Sequence, residues 1–230
     1  AASGKPVALN TGFYGAFWGI QAFGGDLFDQ DGRVILNQGG MANWLNWLKK
    51  AQNAPNVILT NDPNTLLTLF TQQRVAYAVG GSERLRELQK ALGETAVGVA
   101  PLPAGPNQPS GPILETDALF FNAAAPPEQT ERALRLAQFL TNYEQQTELL
   151  RRLQRVPANA RVWVDHRIYP AAAGFAAQAR TAVARPNLPQ FADVERAGSD
   201  AYIQTLSGVM DGQKAATQLT ASVNVKYGLE

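Results

Sequence analysis

Five aromatic rings stand within eleven residues, Phe13, Tyr14, Phe17, Trp18 and Phe23, spaced by glycines and closed by Gly24-Gly25. A chain with so much ring surface in one place must bury it in a core or bind with it, because a large exposed apolar patch is otherwise a liability. Aromatic side chains dominate core burial, so any single ring of the run reads first as packing. The order of the segments behind it favours a second use for some of them, a wall of stacking rings facing a cleft. At 230 residues the chain is long enough for one large domain or two small ones, with a substantial core in either case.

The bulk properties exclude several functions. Hydrophobic residues make up 45% and charged residues 17%, as in an ordinary globular protein. With 20 basic and 19 acidic residues the net charge is +1. A duplex nucleic-acid binder needs a concentrated cationic face, so no nucleic-acid partner is expected. The local arginines at 151, 152, 155, 161 and 167 read as a solvated helix face. Without a cysteine there is no disulfide, thiolate metal site or cysteine nucleophile. No apolar run reaches the length of a membrane-spanning helix. The chain opens on Ala1 rather than Met and shows no signal peptide, which reads as a processed product or an excised piece.

Strands and helices alternate along the front of the sequence. Val7-Ala8-Leu9 reads as a short buried strand, and Asp31-Gly32 between Leu27-Phe28 and Val34-Ile35-Leu36 as a type I′ hairpin turn. A calcium loop on Asp29 and Asp31 lacks its remaining ligands and its closing Glu. Residues 41–52 form a helix with Trp44, Trp47, Leu48 and Ala51 on one apolar face, both tryptophans pointing to the core. A helix over 64–72 leads to a strand over 75–79. Gly80-Gly81-Ser82 then opens a helix running to about Leu92, with Ser82 as its N-cap and Glu83 favoured by the helix dipole. Such a turn either presents free backbone N–H groups to a hydroxylated or anionic ligand, or is an ordinary strand-to-helix connection.

Residues 97–100 read as a further strand and residues 104–112 as a connecting loop or hinge. Residues 113–122 are extended, Pro126-Pro127 starts a helix with Ala133, Leu136, Ala137 and Leu140 on one face, and another helix covers 145–153. Helices near 171–183, over 191–206 and from about Gly212 complete the chain. Strands separated by helices indicate α/β with an at least partly parallel sheet.

No enzyme signature accompanies this pattern. Gly-x-Ser-x-Gly, His-Glu-x-x-His and Gly-x-Gly-x-x-Gly after a strand are all absent. The one histidine, His166, cannot supply a multi-histidine metal site, and no spacing singles out a carboxylate pair for acid–base work. Neither catalysis nor a cofactor or metal is expected.

Taken in order, these segments resemble the C-terminal part of the extracellular, maltose-binding-type solute-binding proteins of bacterial ABC importers. The resemblance is carried by the aromatic run to Gly24-Gly25, the Phe28-Asp29-Gln30-Asp31-Gly32-Arg33 turn and the helix over 41–52. It continues through Val79-Gly80-Gly81-Ser82, Val97-Gly98-Val99-Ala100-Pro101-Leu102-Pro103, the stretch 113–125 and the helix over 130–143, and ends with Pro186-Asn187-Leu188-Pro189-Gln190 before a long helix to Ser207-Gly208. It implies a periplasmic-binding-protein type II-like lobe, an α/β fold with a mixed sheet flanked by helices and a helix-rich C-terminal half. Residues 1–112 would form the first part of that lobe, 113–155 would cross to an N-terminal lobe, and 156–230 would complete the C-terminal lobe. Without such a neighbour, Leu119, Phe120, Phe121, Leu136 and Leu140 need burial elsewhere, by rearranged packing or in a homodimer.

The resemblance also implies a site. Tyr14 falls where sugar binders of the family place a stacking ring, with Phe13, Phe17 and Trp18 beside it. The ligand-stacking Trp usual after the Gly-Gly-Ser turn is replaced by Glu83, followed by Arg84, and the aromatic often supplied by the long helix is replaced by Glu195-Arg196. With Ser82, these residues suit a charged or hydroxyl-rich solute better than a neutral maltodextrin. Arg84 and Arg196 have two readings, a pair with a ligand carboxylate or phosphate, or a surface pair with Glu83 or Glu195. The expected role is a non-enzymatic receptor for a sugar or related polar solute, delivering it to ABC importer membrane subunits from a periplasmic or lipid-anchored cell-surface position. The alternative is an interaction or sensory module that uses a lone lobe to bind a protein partner.

Overall fold

A computed structural model describes residues 6–229. Val7–Asn10 forms β1, the centre of a three-stranded sheet, with β2 (Val57–Thr60) on one side and β3 (Tyr77–Ala78) on the other, both parallel to it. Val7 faces both Val57 and Tyr77, and Asn10 faces Thr60, so all three strands end at the same edge. Among the described residues the antiparallel character of a mixed sheet is limited to an isolated bridge between Phe28 and Val34, and the second pair, β4 (Ile113–Leu114) with β5 (Val183–Ala184), is again parallel. β2 was not expected from the sequence. The expected strand over 97–100 does not form: Val97 is buried and Val99 packs beside it, but neither joins a ladder.

The described residues divide into two compact units. One comprises the chain up to Gly81, Leu102–Leu114 and the chain from Thr181; the other comprises Ser82–Pro101 and Glu115–Arg180.

In the first unit the aromatic run folds into two short helices, α1 (Phe13–Ala16) and α2 (Trp18–Ala22). α2 packs on α3 (Gly40–Ala51), while α4 (Pro63–Thr71) covers β1. Asp62 caps α4, its carboxylate accepting from the Asn64 N–H at 3.0 Å and the Thr65 N–H at 3.1 Å. Phe13, Phe17, Trp18, Trp44 and Tyr202 share one core. Glycines make this density possible: a Cβ on Gly19 would stand 2.2 Å from the Trp44 ring, and one on Gly198 would stand 2.2 Å from the Phe13 ring. The last two helices of the chain close this unit.

The hairpin differs from the expected turn. Only Gly32 takes a positive φ, +78°, so Asp31 does not meet the type I′ requirement. The Gly32 N–H donates to the Asp29 carbonyl at 3.2 Å, closing a four-residue turn whose last residue is the left-handed glycine. Asp29 Oδ1 accepts from the Asp31 and Arg33 N–H groups at 2.9 Å, which is the use made of that carboxylate.

The second unit opens with a 3₁₀ turn at Ser82–Arg84, followed by α5 (Leu85–Leu92). Ser82 therefore does not cap the α-helix; Arg84 occupies that position, with no side-chain cap. Next come α6 (Pro127–Thr141), α7 (Tyr143–Leu153), capped by Asn142, and α8 (Pro170–Ala179). Leu85, Val97 and Ala171 form one small core and Leu150, Val162 and Ala172 another. The apolar residues of 119–140 do not find the burial expected for them. No residue of α6 is buried, and Phe120 is 92% exposed. The reason is architectural: α6 packs along α7, and that contact leaves the Leu136 and Leu140 side of the helix uncovered.

The first unit ends with α9 (Phe191–Leu206) and α10 (Gly212–Tyr227), packed against each other and against α3. Asn224 of α10 completes the extended chain at Val34, accepting from its N–H at 2.9 Å and donating to its carbonyl at 3.0 Å.

Candidate functional site

Parallel strands place every strand-to-helix loop at one edge, and in the first unit that edge carries the loops 11–12, 61–62 and 79–81, with Tyr14 in the first turn of α1. The chain leaves the central β1 towards β2 and then crosses to the opposite side for β3, so the connections diverge at the end of β1. The carboxyl edge at such a divergence is where open α/β sheets take ligands.

Asn10 ends β1 and shapes the loop. Its Oδ1 accepts from the Gly12 N–H at 2.6 Å, turning the chain directly into α1. A Cβ on Gly15 would stand 2.6 Å from the Asn10 Cγ, so a glycine is required for the helix to sit over that side chain. The consequence is a division of labour within the aromatic run. Phe13 is fully buried, Phe17 and Trp18 nearly so, while Tyr14, one position on, is only half-buried. Phe13 stacks at a tilt on Phe17, with centroids 5.9 Å apart, and meets Tyr202 edge-on at 6.2 Å. Three of the four expected site rings are thus committed to the core, and Tyr14 alone of the four stays partly exposed.

α9 packs on α1 through Gly198, bringing Glu195 and Arg196, just before that glycine, onto the helix that borders the aromatic segment. Glu195 is half-buried, 4.0 Å from the Arg185 guanidinium. Arg196 pairs with Asp193, not with Glu195. Asp193 also receives the Lys226 ammonium at 2.6 Å and the Tyr227 hydroxyl at 2.8 Å. The Lys226 ammonium and the Tyr227 hydroxyl hold the Asp193 carboxyl below its usual range. In the second unit Ser82 and Glu83 are exposed, and Arg84 pairs with Glu87 at 3.1 Å rather than with Glu83. Both arginines correct the expected surface pairing in the same way, since helical neighbours three residues apart face each other and adjacent residues do not.

Asn61, exposed at the end of β2, and Gly80, whose α-carbon faces open space, share the strand-end edge with Tyr14. The sequence reading missed Asn61 because it missed β2. The signal was present: Val57-Ile58-Leu59-Thr60 is a β-rich run bracketed by Asn and Pro turn residues. Among the described residues no group of three or more His, Asp or Glu side chains is placed to hold a metal. No helix of the described residues is long and apolar enough to cross a membrane.

A partly exposed tyrosine at a strand-end edge that also carries Asn61 and Gly80 can stack on a flat C–H face. Comparison with known proteins bears on the fold and the family. The chain superposes on the maltose/maltodextrin-binding domain MalE of Bdellovibrio bacteriovorus bound to maltotriose with a TM-score of 0.78 at 21% identity, covering 99% of this chain and 62% of that one. It superposes on a cyclo/maltodextrin-binding protein complexed with maltotetraose with a TM-score of 0.81 at 23% identity, covering 96% and 59%. For the GacH receptor of Streptomyces glaucescens, solved unliganded and with acarbose, the TM-score is 0.77 at 16% identity, covering 97% and 59%. The chain therefore spans less than two thirds of the length of these structures, and identities at this level establish the shared fold. No curated protein gives a significant match. The family described as bacterial extracellular solute-binding protein matches residues 5–177, three quarters of the sequence, and the chain belongs to that family.

Proposed function

We propose that this chain is the ligand-binding part of a receptor for a bacterial ABC importer, and that its solute is a sugar or a related hydroxyl-rich molecule. The observation that carries the reading is the position of Tyr14: a partly exposed ring in the first turn of the helix that follows the central strand of a parallel sheet. Structures of the same fold with maltotriose and maltotetraose bound support the ligand class. Phe13, Phe17 and Trp18 hold the platform and, in the same unit, Glu195 and Arg196 supply polar contacts that a charged or heavily hydroxylated solute would use; Ser82, Glu83 and Arg84 belong to the second unit. In the same reading residues 113–155 cross to a first lobe, residues 1–112 and 156–230 form the second, and the receptor works outside the cytoplasm on importer membrane subunits, held by a lipid anchor. The exposed apolar residues of this chain favour a homodimer.

Calorimetric titration of the chain with maltotriose and with an acidic trisaccharide tests the ligand class. Tyr14→Ala is expected to lower the affinity for whichever ligand binds at least about tenfold, roughly the loss of one good stacking contact. Equal affinity in wild type and Tyr14→Ala would sink the assignment of the site.

A further inference from the structure

We propose that the first unit carries a second saccharide site, on the outer face of α3 and built on Trp47. A surface cavity of about 450 Å³ lies there, lined by Asn43, Asn46, Trp47 and Lys50 of α3, with Phe23 from the end of α2 and Asn107 from the 104–112 loop. This volume is that of an ordinary small-ligand pocket and leaves room for a mono- or disaccharide. None of its residues belongs to the strand-end loops, so the inference does not rest on the role assigned to Tyr14.

The sequence pattern puts Trp47 with the buried tryptophan, but the structure leaves it 43% exposed. The two indoles stack nearly parallel, at 13° and 5.1 Å between centroids. Trp44 beneath is fixed: its N–H donates to the Tyr202 hydroxyl at 2.9 Å, and its ring meets Phe23 at 5.8 Å. Trp47 therefore offers one open ring face on a platform that needs no ordering when a ligand arrives, and this lowers the entropic cost of binding.

The polar groups around that face match a sugar. Asn43, Trp47 and Lys50 follow one another at helical spacing, with Asn46 one turn from Asn43 and Lys50. The side chains of Asn43, Asn46 and Lys50 make no hydrogen bond or ion pair among the described residues. Asn107 donates through Nδ2 to the Phe23 carbonyl at 2.9 Å, which orients its amide and keeps its oxygen as an acceptor. Carboxamides offer a donor and an acceptor side by side, the complement of adjacent sugar hydroxyls, while the indole face takes the C–H surface of the ring. The ligand class is a pyranose, in which one face is apolar and the rim is hydroxylated.

The test is a titration of the isotope-labelled chain with maltose and with cellobiose, followed by amide NMR. The expected result is a saturable shift of the amides of residues 43–50 and 107 that is lost in Trp47→Ala and weakened about tenfold in Asn43→Ala. Thermal melts equal to wild type establish that both exposed-site variants are folded. In Tyr14→Ala the shifts at 43–50 persist, which separates this site from the strand-end site. No shift at 43–50 with either disaccharide, or shifts that survive Trp47→Ala, overturns the proposal.

Discussion

At the scale of single residues, the centre of the first unit turns on one hydroxyl and one missing methyl. Tyr202 is fully buried, accepts the Trp44 indole N–H and donates to the Ala16 carbonyl at 3.3 Å. Burial pushes its phenol well above the ordinary value, so it stays neutral and able to donate at every ordinary pH. Tyr202→Phe keeps the ring but leaves the Trp44 N–H unpaired in the core, a loss of about 1–3 kcal/mol, to be read as a lower urea midpoint with an unchanged slope. Gly198 acts through space rather than bonds. A methyl there must displace the Phe13 ring, and overpacking of this kind costs about 1–3 kcal/mol. Because Phe13 anchors α1, the helix that carries Tyr14, Gly198→Ala is expected to weaken maltotriose binding as well as stability, measured by calorimetry under conditions where the variant is fully folded. Stability lost with binding intact would show that this anchor does not position the ring.

At the scale of elements, legibility followed how locally each element is determined. α9 was readable at both ends and α10 at its start, because a Pro-rich loop precedes the first, Asp211 caps the second and their periodicity is long. The short strands were harder: β3 has two paired residues, and β2, four residues long, owes its identity to pairing with a strand fifty residues away. The face of α3 was misread at one position. Met41, Trp44, Leu45 and Leu48 are buried, whereas Trp47 lies at the border of that stripe, where periodicity alone does not separate core from rim. The candidate site was legible as a segment but not as a surface: which ring of the run stays exposed depends on how α1 meets α9. α7 offers a pH test at this scale. Arg151 and Arg152 bond Glu148 and hold its carboxyl at about 2, down from 4.5. A depressed carboxylate stabilises the fold above its ordinary value and loses that contribution as pH falls between the two values. Both arginines are exposed and the pair is open to solvent, so the effect is small and screened by salt. Melting temperatures of wild type and Glu148→Gln should differ at pH 6 and converge as the pH approaches about 2; a constant difference would mean that the pair contributes nothing.

At the scale of the whole molecule, the feature that decides behaviour is the uncovered apolar side of α6 with the extended stretch before it. Leu119, Phe120, Leu136 and Phe139 are all half or more exposed, in a chain whose other large apolar residues mostly find a core. Covering such a side chain fully is worth about 1.5–3 kcal/mol, and roughly half of that is still to be gained here. Association costs about 4–15 kcal/mol in lost freedom. Four such residues from each of two copies therefore come close to balancing that cost, which predicts a weak dimer and not an obligate one. Light scattering across a concentration series should show the mass rising from one chain towards two, and Phe120→Ser with Leu136→Gln should hold it at one chain without lowering the melting temperature, since neither residue is packed in a core. A mass that stays at one chain at the highest concentration reached would mean that these side chains are tolerated in water, and the homodimer would be abandoned. A dimer that survives both substitutions would place the contact elsewhere on the molecule.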